Sequence, residues 1–261
     1  MAGARFPSPI PVPVLRARGV RKSYGSGRGA RLILDGVDLE LARGELVAVV
    51  GRSGSGKSTL LHLLGGLDRA DGGSVEVAGR PVTGASERKL SALRRDEIGF
   101  VFQFFHLVPE LDGEANVLLP TRLPGASRRA AARGRALIER LGLGEVARLR
   151  PHQLSGGEQQ RFALARALVA DPALVLADEP IGNLDAASGA VVLDLLRAIA
   201  DDGRAVLMVT HQAEATARAD RVLHLADGRL VPFDESGRAT VDHTEGAPAS
   251  RAGPRTRRAT R

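Results

Sequence analysis

The chain alternates short, unbroken apolar runs with segments whose apolar positions recur every three to four residues. Three runs, "ELVAVVG" (45–51), "ALVLADE" (173–179) and "AVLMVTH" (205–211), are apolar at successive positions, the pattern of strands buried on both faces of a sheet. Earlier, "VLRARGVRKSY" (14–24) and "RLILDGVDLEL" (31–41) read as strands joined by turns, followed by strands "SVEVAG" (74–79) and "IGFVFQ" (98–103). Helices are predicted at about 57–66 and 86–95, and from about 114 to 170 the spacing is helical, most clearly in "RRAAARGRALIERLGL" (128–143). Strand–helix alternation of this kind predicts an α/β fold: a parallel sheet covered on both faces, with a helical insertion between "FVFQ" and "ALVLADE". No internal repeat is present.

Composition changes this picture little. The 261 residues, 43% of them apolar, suffice for a sizeable core in one domain or two closely joined subdomains. Without cysteine there are no disulfides or thiolate metal sites, and the six histidines form no pair at metal-ligand spacing. No apolar run approaches the roughly 18 residues that span a bilayer. Prolines interrupt the N-terminal "MAGARFPSPIPVPV" where a signal peptide needs unbroken apolar sequence, so the chain is expected to stay in the cytoplasm. Residues 1–13 are expected to be flexible and 234–261 to form a basic disordered tail, leaving 14–233 as the folded part.

The net charge of +7 invites a nucleic-acid or anionic-membrane reading. However, 34 of the 37 basic residues are arginine amid abundant Ala, Gly and Pro, which points to a coding bias rather than a binding stripe; nucleic acid is not an expected partner. Only Lys22, Lys57 and Lys89 remain lysine, which makes their positions informative.

Candidate chemistry gathers where the apolar runs end. "GRSGSGKST" (51–59) follows a strand and opens a helix, the context that the phosphate-loop pattern G-x-x-x-x-G-K-[ST] requires. There, Gly51, Ser53, Gly54, Ser55, Gly56 and Thr59 would wrap phosphate with backbone N–H groups, Lys57 would reach the β- and γ-phosphates, and Ser58 would hold Mg²⁺. "GSGRGA" (25–30) fits a dinucleotide pattern but precedes a strand, so it reads as a turn. "ALVLADEP" ends in two carboxylates: Asp178 suits a metal and Glu179 an attacking water, although acid pairs ending strands are commonly solvated turns. His211 ends another strand, either as an ordinary structural histidine or as a donor to a γ-phosphate, and Gln103 ends "FVFQ" where it would touch Mg²⁺ or the water. Tyr24, the single tyrosine, stands at a strand end as either an adenine platform or an ordinary aromatic.

One motif remains. "LSGGEQQR" (154–161) places a serine and two glycines at a second helix start, although one phosphate loop already exists. Taken together, the phosphate loop, "FVFQ", "LSGGEQQR", "LVLADEP", "GNLD" and "VTH" resemble the ATP-binding subunits of ABC transporters over nearly all of 14–233. The resemblance implies a P-loop NTPase fold with a parallel core sheet, an N-terminal antiparallel β-subdomain and an inserted helical subdomain at about 104–170. It also implies ATP and Mg²⁺ as ligands and a head-to-tail homodimer, in which Ser155, Gly156 and Gly157 cap the partner's ATP and Asp185 lies at the junction. Ile181 and Gln212 depart mildly from the pattern.

"LLGGLDRADGGSVEVAGR", "IGFVFQFFHLVPELDGEANVLLP" and "PHQLSGGEQQR" are similar to the MacB, LolD and FtsE branch. That implies an FtsX- or MacB-type permease partner at the cytoplasmic face of the membrane, with export or mechanotransmission as the role and an FtsE-like regulatory function as the alternative. Phe104 and Phe105 are candidates for a groove that receives a helix of that partner. The arginine-rich tail is a candidate for lipid contact, with plain solvation as the other reading.

Overall fold

The computed structural model describes residues 12–25 and 27–233; the predicted basic tail and nearly all of the N-terminal segment lie outside the described residues. The first sheet is antiparallel. It consists of β1 (Leu15–Tyr24), β2 (Arg31–Leu41), β4 (Gly72–Val77) and the two-residue β5 (Arg80–Pro81), with β1 between β2 and β4. The second contains β3 (Leu46–Val50), β6 (Ile98–Phe102), β7 (Leu174–Asp178), β8 (Ala205–Thr210), β9 (Arg221–Ala226) and β10 (Arg229–Pro232). Its order is β10-β9-β3-β8-β7-β6, parallel throughout except where β10 returns antiparallel on β9.

Period-two geometry explains the unbroken apolar runs. In β3, Val47 and Val49 join a core shared with α1 (Lys57–Leu64) and the antiparallel sheet, while Leu46 and Ala48 face the opposite core. That second core holds α5 (Gly156–Leu168) and α6 (Ala186–Asp201). β7 and β8 divide in the same way, Leu174, Leu176 and Leu207 to one side and Val175, Ala177 and Met208 to the other. One face of the parallel sheet is thus covered by helices and the other by α1 together with a second sheet.

The predicted helical insertion is built from α3 (Gly113–Leu118), α4 (Ala130–Arg140) and α5 around their own core of Val117, Ile138, Leu143, Leu154 and Phe162. Predicted helix ends shift by a few residues. α1 stops before Gly65 and Gly66, α4 stops short of a left-handed Gly142, and α2 spans Glu87–Glu97. The β9–β10 hairpin was not predicted, although its Asp227–Gly228 turn, left-handed at both residues, is a strong hairpin signal. The 25–30 stretch carries a short 3-10 turn at Gly27–Gly29 between two strands, as expected of a turn and not of a dinucleotide loop.

Candidate functional site

Residues 51–56 connect β3 to α1 at the C-terminal edge of the parallel sheet, where α/β folds place their ligands. Gly54 and Gly56 are left-handed, at φ 75° and 101°. Among the described residues, chain neighbours aside, no atom lies within 4 Å of a side chain built at Gly54, so its backbone stays open to approach, whereas one built at Gly56 would stand 2.7 Å from Ile33. Lys57 is buried and donates to the carbonyls of Gly51 (2.9 Å) and Arg52 (3.2 Å), with Glu179 Oε1 at 4.0 Å. Ser53 and Thr59 line the same cleft. Ser55 Oγ instead turns inward, buried without a hydrogen-bond partner among the described residues, and fills the space that a side chain at Gly51 would need.

Three further strand ends deliver side chains to this cleft. Asp178 ends β7 and accepts from Ser58 Oγ at 3.0 Å, and burial pushes its carboxyl above the usual aspartate range. Glu179 extends β7–β8 pairing by one residue, its N–H donating to Val209 O at 2.9 Å, and its backbone is left-handed at φ 46°. Its side chain is largely buried, and Oε1 lies 2.9 Å from His211 Nδ1, one residue beyond β8. Gln103, one residue beyond β6, donates from Nε2 to Asn183 Oδ1 at 3.1 Å. Lys57, Ser58, Gln103, Glu179 and His211 thus line one cleft of about 530 Å³, within the usual size range of small-molecule sites. The hydroxyl of Ser58, the carboxylate of Asp178 and the side-chain amide of Gln103 are oxygen donors of the kind a hard divalent cation takes.

Tyr24 closes the first strand nearby. The residue is 46% exposed, and its hydroxyl donates to Asp68 Oδ2 at 2.7 Å. Lys22 lies buried behind it, donating to Asp68 Oδ1 (3.0 Å) and Arg69 O (2.7 Å), with Nζ 4.9 Å from the ring centroid. Burial alone would raise the Asp68 carboxyl, but the hydrogen bonds from Tyr24, Lys22 and the Arg69 backbone together hold it below its ordinary value. Two of the three lysines therefore sit in or beside this region, while Lys89 is exposed on α2. Asp68 lies 44 residues from Tyr24 in sequence, and no local pattern announces the contact.

Ser155, Gly156, Gly157 and Asp185 come together elsewhere, at the paired starts of α5 and α6. Ser155 caps α5, accepting from the Glu158 N–H, while the Glu158 carboxylate accepts from both the N–H and the hydroxyl of Ser155 and is lowered by them. Asp185 caps α6 through the Ser188 N–H at 2.9 Å and accepts from the Ser188 hydroxyl at 2.7 Å. A side chain at Gly157 would stand 2.8 Å from Ser188 Oγ, so this glycine is required by packing within the chain; Gly156 is the more open of the pair. None of these residues lines the cleft of Lys57 and Glu179.

The turn after Gln103 separates the two phenylalanines. Phe104 is 67% exposed, whereas Phe105 turns inward toward Gly156. Phe105 and His106 are both left-handed, at φ 57° and 49°, and one guanidinium holds both: Arg166 of α5 donates to Phe105 O (2.8 Å) and His106 O (2.6 Å). Arg166 forms no ion pair among the described residues, and desolvation lowers its pKa. Sequence reasoning missed this clamp because an arginine in "LARAL" looks like any other on a helix.

A family model described as "ABC transporter" matches residues 34–182. The chain is 50% identical over 220 residues to the lipoprotein-releasing system ATP-binding protein LolD of Ruegeria sp., covering 83% of this chain and 97% of that protein. It is 48% identical over 245 residues to a macrolide export ATP-binding/permease protein MacB of Paracoccus denitrificans, covering 93% of this chain but only 35% of that longer protein. Among solved structures, the ATP-binding cassette MJ0796, a dimer in a post-hydrolysis state bound to ADP and phosphate, superposes with a TM-score of 0.75 at 37% identity, over 83% of this chain and 96% of its own.

Proposed function

The chain belongs to the ABC transporter family as an ATP-binding, ATP-hydrolysing cassette, and on that premise we propose that two copies enclose ATP between them and drive a membrane permease of the MacB or LolD kind. The working unit is 14–233, with 104–170 as the arm turned toward the permease and Phe104 on its contact face. The protein acts at the cytoplasmic face of the membrane as a peripheral subunit; among the described residues no helix is long and apolar enough to cross a bilayer.

In each copy Tyr24 stacks on the base, the 51–56 loop and Thr59 wrap the phosphates, and Lys57 contacts the β- and γ-phosphate oxygens. Ser58, Asp178 and Gln103 hold Mg²⁺, which when bound neutralises charge on those oxygens. Glu179 orients the attacking water and takes up its proton, with its carboxylate steadied by His211. Because Nδ1 of His211 faces that carboxylate, a simultaneous hydrogen bond from Nε2 to the γ-phosphate needs the doubly protonated ring. Ser155, Gly156 and Gly157 at the α5 N-terminus cap the γ-phosphate of the partner's ATP, and Asp185 links the two sites.

The observation that carries this reading is the division of the chain's two glycine-lined helix starts: one opens on the cleft with Lys57 and Glu179, and the other lies outside it. The test is a mixed dimer. Lys57→Ala and Ser155→Arg are each expected to abolish nucleotide occlusion as homodimers, one by losing the phosphate contact and the other by blocking the capping helix. Combined across a shared interface, both defects fall in one site and the other site is intact, so the mixed dimer should occlude one ATP. A verified mixed dimer that occludes none overturns the shared-site reading.

A further inference from the structure

Gln103 and Asn183 are joined twice. Gln103 Nε2 donates to Asn183 Oδ1 at 3.1 Å, and Asn183 Nδ2 donates to the backbone carbonyl of Gln103, also at 3.1 Å. The second bond removes the usual ambiguity of side-chain amides. A backbone carbonyl only accepts, so the Asn183 atom facing it is nitrogen. The other Asn183 atom is then oxygen, and the Gln103 atom facing that oxygen must be nitrogen. What remains is Gln103 Oε1, which has no hydrogen-bond partner among the described residues, on a side chain that lines the cleft with Ser58, Lys57 and Glu179.

The neighbouring residue supports the same arrangement. A side chain at Gly182 would stand 2.9 Å from Gln103 Nε2 and 3.1 Å from its Cδ, so the glutamine lies flat against bare backbone on its way to Asn183. Gly182 and Asn183 belong to the loop between β7 and α6, four residues beyond Asp178 at its nearer end. Gln103 follows the last residue of β6, and the neighbouring strand β7 ends at Asp178, with Phe102 and Asp178 paired in register. The loop that follows the acidic strand therefore reaches back across the sheet edge and holds the side chain at the end of the next strand.

From this geometry we infer that Asn183 is a positioning residue: it fixes the amide of Gln103 so that oxygen, and not the NH₂ group, meets the cation shared with Ser58 and Asp178. The inference deepens the proposed cation role of Gln103 and rests on it. Without Asn183 the amide is free to rotate, and an amide turned the other way presents two hydrogens to a divalent cation. A glutamate at 103 needs no such orientation, since either carboxylate oxygen serves.

The test measures cation affinity rather than turnover: Mn²⁺ bound in the presence of a non-hydrolysable ATP analogue, followed by electron paramagnetic resonance. Loss of selection between two amide orientations weakens binding roughly twofold, and the side-chain freedom gained away from Gly182 extends this to somewhere below tenfold, so Asn183→Ala is expected to weaken Mn²⁺ by roughly two- to tenfold. Binding of the analogue in the absence of metal should not change, and an unaltered unfolding midpoint shows that the variant is folded. In a Gln103→Glu background the same Asn183→Ala substitution should cost almost nothing. An equal loss in both backgrounds, or no loss with Gln103 present, overturns the positioning role. Gln103→Ala separates the two layers: if it weakens Mn²⁺ while Asn183→Ala does not, the positioning inference fails alone, and if it leaves Mn²⁺ untouched, the cation reading fails and takes the inference with it.

Discussion

Gly157→Ala isolates why the second helix start carries glycine. The added methyl would stand 2.8 Å from Ser188 Oγ and 3.0 Å from Ser188 Cβ, well inside the separation at which carbon atoms pack. Ser188 cannot simply swing aside, because its hydroxyl and its N–H are both tied to Asp185 at the start of α6. Overpacking of this kind costs about 1–3 kcal/mol, partly offset by up to about 1 kcal/mol from replacing glycine within a helix. A net loss of about 1–2 kcal/mol corresponds to a fall in melting temperature of roughly 2–8 °C for a domain of this size. The assay is thermal and urea unfolding of the nucleotide-free protein. Ser188→Gly in the same chain removes both obstructing atoms and should recover most of the loss. Gly156→Ala, whose methyl comes closest to the flexible end of Leu184, at 3.3 Å, and otherwise makes ordinary contacts, should cost less. Equal destabilisation by the two alanines, or no compensation by Ser188→Gly, would refute the packing argument.

Two further outcomes follow from buried groups. Because burial raises the Asp178 carboxyl in the folded state, folding is penalised once pH exceeds that raised value, and the penalty disappears as pH falls through it toward the ordinary aspartate range. Asp178→Asn should therefore raise the melting temperature at neutral pH and lose that advantage in acid, while weakening Mg²⁺ binding wherever the carboxyl it replaces is ionised; a pH-independent gap in melting temperature would count against the assignment. Arg166→Lys replaces a planar fork on two carbonyls with a single ammonium, so hydrogen exchange across 103–108 should accelerate and stability fall by about 1–3 kcal/mol. Unchanged exchange there would mean that the left-handed turn holds itself.

The parallel sheet was legible because its strands are buried on both faces, which leaves the unbroken runs at 45–51, 173–179 and 205–211. The cleft was legible because four strand ends, at 50, 102, 178 and 210, carry their chemistry in the next few residues, so that local order in sequence becomes neighbourhood at one sheet edge. What stayed hidden depends on contacts between distant segments. Nothing near Tyr24 points to Asp68, nothing near Gln103 points to Asn183, and the arginine of "LARAL" gives no sign that it holds a turn 60 residues away. The packing need for glycine at 157 also stayed hidden, because the Ser188 Oγ that a side chain there would meet lies on α6, far along the sequence. The β9–β10 hairpin was legible in its Asp-Gly turn and was overlooked.

Glu179 occupies a backbone conformation that suits glycine, at φ 46°, and residues with side chains pay about 1–2 kcal/mol there. On the role proposed for Glu179, stability and chemistry pull this one codon in opposite directions. Under a screen that rewards only heat resistance or yield, glycine or asparagine at 179 would be among the first exchanges to spread, and the selected proteins would keep their fold while losing the carboxylate. On that proposed role, a carboxylate retained at such a position marks a chain under selection for turnover, which makes residue 179 a sensitive indicator of whether a population of these proteins is still being asked to hydrolyse anything.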